Sequence, residues 1–251
     1  MLVSLLSLGL AVLLFGVRTL ANVVIATRVQ EGILVSSDGM GKDEQYEQFV
    51  QQRDVMKLHR ISQSAYIACA DDDMAIFLLC RHLRILTKER EMNKRMMTMS
   101  EISHYTSALI SQEYTDLHVL LVGKDDLNID GDGETHIYEV LPGGMIVEQP
   151  LTCAIGSGAN AALFVLNRRG EDKERREEKT KKSPAFPSIP FGRSIRRLQN
   201  IMKALKDMDM HIGGSMKMFL LPNVEEEALA SDIQADAKKY GVEILPISFD
   251  R

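Results

Sequence analysis

The hydrophobic pattern of this chain changes period several times, and the changes fall in blocks. Residues 21 to 37 alternate and are rich in β-branched side chains. NVVIATRV, opening at Asn22, and GILVSS read as two strands joined through Gln30-Glu31-Gly32. Residues 39 to 54 are polar and read as a loop, and VMKLHRIS with SAYIACA reads as a second strand pair. The period then becomes helical. In DDDMAIFLLCRHLRILTKER, Ile76, Leu79, Cys80, Leu83 and Leu86 share one face behind three aspartates suited to a helix N-terminus. Thr98 and Glu101 have capping-box spacing for a second helix, with Ile102, Tyr105 and Leu109 expected inward.

LHVLLVG, HIYEVLP, MIVEQ and LTCAI read as further strands, and IGSGANAALFVLN opens a third helix. Ser194 is placed to cap a fourth helix that buries Ile195, Leu198, Met202 and Leu205. GSMKMFLL is a strand. A fifth helix is expected from Asn223 to a stop at Gly241, with Leu229, Ile233, Ala237 and Tyr240 on one face, and VEILPI follows as a last strand. Strands and helices thus come in runs rather than in βαβ alternation. That order predicts an α+β fold of stacked antiparallel sheets covered by helices.

Composition adds bounds. With 251 residues, 45% of them hydrophobic, there is ample material for a core. A net charge of −5 gives no electrostatic case for nucleic acid as a partner. Cys69, Cys80 and Cys153 form no CxxC pair and lie in apolar runs, which predicts buried free thiols and a reducing compartment. Residues 1 to 17, MLVSLLSLGLAVLLFGV, carry no charge and lack the basic lead of a signal peptide. They are read as part of an N-terminal extension over residues 1–21, either propeptide-like or from a misassigned start, with a signal or anchor as the alternative. Residues 22–250 are read as one domain with an insertion over 170–190. Its charged part, residues 170 to 182, has 11 charged side chains among 13 and is expected to stay solvated.

Chemical motifs are few. DLNIDGDGETHI starts like an EF-hand loop, but Ile137 stands where calcium needs a bidentate carboxylate, so an acidic turn is the expectation. GSGANA fits GxGxxA, yet no strand-ending acid follows, and the glycines are read as a tight turn with close helix packing. The six histidines show no metal-ligand spacing. No cofactor and no metal are expected.

Several segments, in their order, resemble the β subunits of the 20S proteasome, of the N-terminal nucleophile hydrolase superfamily. They are NVVIATRVQEGILVSSD, MKLHRISQSAYIACADD, HVLLVGKDD with HIYEVLPGG, IGSGANAALFVLN, and DMHIGG. The resemblance implies a four-layer αββα sandwich. It also implies a nucleophilic threonine at the head of the first strand, 16 residues before the hairpin aspartate. Counting back from Asp38 reaches Asn22, preceded by Ala21 rather than the glycine of the cleavage bond. By the same resemblance, Lys57 corresponds to the lysine beside the nucleophile, Ser157 to the serine of the Gly-rich turn, and Asp209 to the aspartate before Gly-Gly. Ile212 stands where a serine is expected.

The expectation is therefore a non-catalytic structural β subunit, most similar to the fourth ring position. It would sit in a seven-membered hetero-oligomeric ring with other α and β subunits and serve ubiquitin-dependent degradation in cytoplasm and nucleus. The alternatives are an active peptidase using Thr19, or a secreted or membrane-tethered protein reusing the sandwich.

Overall fold

The computed structural model describes residues 22–38, 57–70, 74–125, 134–166, 191–208, 215–224 and 229–246. The first sheet has the order β10-β9-β2-β1-β8, built from β1 (Val24–Val29), β2 (Gly32–Ser37), β8 (Thr152–Ile155), β9 (Lys217–Pro222) and β10 (Val242–Ile244). The second has the order β3-β4-β5-β6-β7, built from β3 (Leu58–Arg60), β4 (Ala65–Cys69), β5 (Val119–Lys124), β6 (Thr135–Val140) and β7 (Ile146–Glu148).

Alternation along the strands makes the layers. In β1, Val24 and Ala26 enter the core between the sheets, while Val23, Ile25 and Val29 point to the opposite face. In β5, Leu120 and Val122 face inward between the sheets, and Val119 and Leu121 face outward. Both faces of both sheets are therefore apolar, and each outer face needs a cover.

Helices provide it. The outer face of the second sheet carries α1 (Met74–Met92) and α2 (Met99–Gln112). The outer face of the first carries α3, residues 159–166, with α4 (Phe191–Asp207) and α5 (Ser231–Tyr240). The result is the expected αββα sandwich. Leu198, Ile201 and Leu205 of α4 are at most 2% exposed, and each stabilises the outer layer by about 1.5–3 kcal/mol relative to exposure.

Four local expectations give way to packing. The first strand starts at Val24, two residues after Asn22. In α2 the capping box forms as expected, but Tyr105 faces out, and Ser103 and Thr106 take the inward face with Ile102 and Ile110. Their hydroxyls donate to the carbonyls of Ser100 and Ile102, so burying them leaves no orphan donor. The fourth helix begins at Phe191, which is 2% exposed; anchoring that ring outweighs a cap, and Ser194 lies inside the first turn. The fifth begins at Ser231, because Asn223 is held elsewhere: its N–H and Nδ2 donate to Glu31 and Gln30 carbonyls, and its own carbonyl accepts from Lys124 Nζ at 2.6 Å. The stop at Gly241 forms as expected, with φ +66°.

One strand pair departs from the antiparallel pattern. β10 runs parallel to β9, so β9, α5 and β10 make a single βαβ unit at the sheet edge. Among the described residues all other pairings are antiparallel. At the β1–β2 turn, Gly32 has φ +145° and a Cβ there would lie 2.1 Å from the Leu221 carbonyl oxygen, so only glycine lets β9 pair alongside. The three cysteines are buried free thiols. Burial pushes Cys80 up to about 11, and burial with the neighbouring Glu139 carboxylate pushes Cys153 further still.

Candidate functional site

The β1–β2 register sets one end of the sandwich. Because Val24 pairs with Ser37, Val23 and Asp38 meet just beyond the ladder. The Val23 N–H donates to Asp38 Oδ1 at 3.0 Å, and the Asp38 N–H returns to the Val23 carbonyl at 3.3 Å. Asp38 is thereby aimed at the residue before Val23, which is Asn22.

Lys57 comes from the other sheet. It precedes β3, its carbonyl accepts from the Cys69 N–H, and its side chain reaches the first sheet. Nζ donates to Asp38 Oδ1 at 2.6 Å and to Asn22 Oδ1 at 3.0 Å. The Lys57 and Asp38 side chains are each 1% exposed. An ammonium has only donors, so the Asn22 atom facing it is the amide oxygen.

The Gly-rich turn closes the site from behind. β8 pairs with β1 through Val24 and Ile155, which delivers Gly156-Ser157-Gly158 to Asn22. The Asn22 N–H donates to Ser157 Oγ at 3.0 Å, and its carbonyl accepts from the Gly158 N–H at 3.1 Å. Gly156 has φ +95°, and a Cβ there would fall 2.2 Å from the Asn22 oxygen and 2.6 Å from Ala70 Cβ. Gly156 thus serves the tight turn read from the sequence, and its close neighbours are strand-end residues rather than a helix.

Asn22 and Asp38, at the two ends of the opening hairpin, therefore converge with Lys57 and Ser157 from two later stretches of chain. Thr19, Ala21, Asp209 and Ile212 lie outside the described residues. One contributor escaped the sequence reading: the backbone of Gly158, which holds the Asn22 carbonyl. Asp38 Oδ2 is buried with no hydrogen-bond partner among the described residues.

Chemically, the cluster is a buried ammonium held by a carboxylate and an amide oxygen. An amide is not a nucleophile at neutral pH, and its carbonyl oxygen occupies one of the lysine's three donors. No hydroxyl belongs to residue 22; the nearest hydrogen-bonded one is Ser157 Oγ, which accepts from a backbone N–H.

Two facing, mainly antiparallel sheets between helix layers, with a Lys–Asp pair beside the head of the first strand, define the N-terminal nucleophile hydrolase sandwich. A family model for the proteasome subunit matches residues 19–182, well over half of the chain. The chain belongs to the proteasome subunit family, whose members assemble in rings into a threonine protease complex that degrades proteins. No curated protein matches the sequence.

Proposed function

We propose that this chain is a non-catalytic β-type subunit of the 20S core, lending a wall to the proteolytic chamber without cutting. The observation that carries this is Asn22. It occupies the place at the head of β1 where the family carries its threonine, and its amide oxygen takes a hydrogen bond from Lys57. The remaining pocket residues, Asp38, Lys57 and Ser157, then act as structural survivors. A carboxylate and an ammonium buried together are retained because losing either alone strands the other. By sequence position, Asp209 and Ile212 complete the vestigial pocket.

The surface supports membership in a large assembly. α1 exposes Met74, Phe77, Leu78, Ile85 and Met92, all between 37% and 76% accessible. A lone chain gains nothing from a row of large apolar side chains in water, whereas an obligate interface does. Three buried free thiols fit residence in cytoplasm and nucleus. The fourth ring position is our preferred placement, on the ILVSSDG pattern with no threonine at the strand head.

The test is reactivity in assembled particles. Threonine-directed inhibitors should leave this chain unlabelled, and Asn22→Thr alone should give no peptide turnover, because a free amine and a proton-relaying hydroxyl would still be missing. Stoichiometric labelling at Thr19, or clear turnover from the single substitution, would overturn the reading.

A further inference from the structure

Asn22, Lys57 and Asp38 form an arrangement with chemistry of its own. Lys57 Nζ lies 3.0 Å from Asn22 Oδ1, so the amide carbon is the next atom beyond the one it already touches. The same nitrogen is 2.6 Å from Asp38 Oδ1. All three residues are buried. An amine, a carboxamide and a carboxylate held together out of water are the components of an acyl transfer, in which the amide carbon exchanges one nitrogen for another. The reaction depends on residue 22 being asparagine, because a threonine there has no acyl group to transfer.

We propose that Lys57 and Asn22 join in an intramolecular isopeptide bond, with Asp38 as the proton carrier. Asp38 first takes a proton from the Lys57 ammonium across their hydrogen bond, leaving a free amine. Keeping two charges buried is costly, and this one transfer removes both. The amine moves from Asn22 Oδ1 to the face of Cγ and adds to it. The Nζ–Cγ bond forms, and the electron pair of the C=O bond moves on to Oδ1. When the carbonyl re-forms, the Cγ–Nδ2 bond breaks. Asp38 carries two protons in all from Nζ to Nδ2, so the nitrogen leaves as ammonium and Asp38 returns to its carboxylate form. No oxidant and no second reactant is consumed. Asp38 Oδ2, buried with no hydrogen-bond partner among the described residues, is left to serve Nδ2 while Oδ1 serves Nζ.

The fold holds the reacting groups in place. The Asn22 backbone is fixed on both sides, by Ser157 Oγ at 3.0 Å and by the Gly158 N–H at 3.1 Å. Asp38 is fixed by the Val23 N–H at 3.0 Å. Groups so placed gain the advantage of proximity, and exclusion of water suppresses hydrolysis of the same amide. The bond ties the head of β1 in the first sheet to the residue before β3 in the second, 35 residues further along the chain. The ion pair described above is the state before this reaction. One chain suffices for it, so its failure would leave the proposed function untouched.

Tryptic peptide mapping by mass spectrometry, on the unaltered chain from native complexes, tests it. Expected is a pair of peptides joined through Lys57 and Asn22, lighter than their sum by one ammonia, with no cut after Lys57. Chain kept unfolded in urea should stay unlinked and should link after refolding. Asp38→Asn should slow linking by about a hundredfold or more, the usual contribution of a positioned proton carrier. The proposal is overturned if the folded chain yields Lys57 and Asn22 in separate, unmodified peptides. Loss of ammonia with trypsin still cutting after Lys57 would mark a succinimide at Asn22, and a gain in mass at Asn22 would mark deamidation; either overturns it as well. Linking as fast in Asp38→Asn as in the unaltered chain would overturn the role given to Asp38.

Discussion

Two of the clusters that set nitrogen donors against carboxylates differ in their surroundings. Around Lys57, Asp38 and Asn22 the lysine and aspartate are 1% exposed, and every contact crosses from one sheet to the other or between strand ends. Around His136, both ring nitrogens face carboxylates, Asp125 Oδ2 at 3.5 Å and Glu148 Oε1 at 3.0 Å, while the ring stacks on Tyr138. Glu148 there is 52% exposed, so water competes for that partner, whereas the His136 and Asp125 side chains are 12% and 13% exposed. With similar partners at different exposures, the cost of losing one is expected to rise with the burial of the charge left behind. The buried pair has to be kept or discarded as a unit, whereas the exposed Glu148 can change alone.

The sharpest break in this comparison is Lys57→Met. It leaves Asp38 buried and charged with no cation, and should destabilise the subunit by about 3–5 kcal/mol, read by urea titration with pulse proteolysis. Lys57→Met with Asp38→Leu should recover most of that loss, because the stranded charge goes with its partner. A double variant as unstable as the single one would show that the pair stabilises the fold outright. Next in size is Gly156→Ala, which forces a side chain into φ +95° and against the Asn22 carbonyl. About 1–3 kcal/mol of backbone strain is expected, with the Gly158–Asn22 hydrogen bond lost as the turn shifts, visible as faster amide exchange there.

The exposed member of the His136 cluster should matter far less. Glu148→Gln is expected to change stability by about 1 kcal/mol or less. A loss as large as that of Lys57→Met would erase the distinction. The smallest effect concerns Asp125, which also accepts from the Met99 N–H at the start of α2. Burial, the largest influence, raises its carboxyl above the ordinary 3.8, against the Met99 hydrogen bond and His136, which lower it. The folded state then holds the proton more tightly than the unfolded one. Asp125 therefore favours folding more as pH falls from neutral through its folded value, and that gain levels off below 3.8. Asp125→Asn should flatten this limb of the stability–pH curve; an unchanged curve would show that another group titrates there.

The block order, the capping box of α2 and the Gly241 stop were legible in the sequence because each follows from local periodicity or from a residue type with one conformational use. The beginnings of α4 and α5 were not, since Phe191 and Asn223 act through contacts with remote strands. Tyr105 was misplaced because an apolar pattern counts Ser103 and Thr106 as polar, whereas a helix can satisfy their hydroxyls within its own turn. At the site, Asn22, Asp38, Lys57 and Ser157 were found through resemblance to a family. The hairpin brings Asn22 and Asp38 together, but only the folded sheets bring Lys57 and Ser157 to them. The parallel β9–β10 pair was hidden for a similar reason: one βαβ unit leaves the block order of the whole chain unchanged.

The strand orders have a kinetic consequence. In the second sheet, neighbours in space are neighbours in sequence from β3 to β7, so a growing chain can complete that sheet in the order it emerges. In the first sheet, β1 and β2 lie at the centre, flanked by β8 and β9, which appear more than a hundred residues later. The opening hairpin must therefore wait, with both edges bare, through most of synthesis. Loop-closure entropy makes such long-range pairings slow, so the first sheet should set the folding rate. Asn22 meets Ser157 only when β8 docks, so the Asn22 cluster cannot be complete before the first sheet has gained that strand. During that interval the exposed edges of β1 and β2 are the places where a misplaced strand would do most harm.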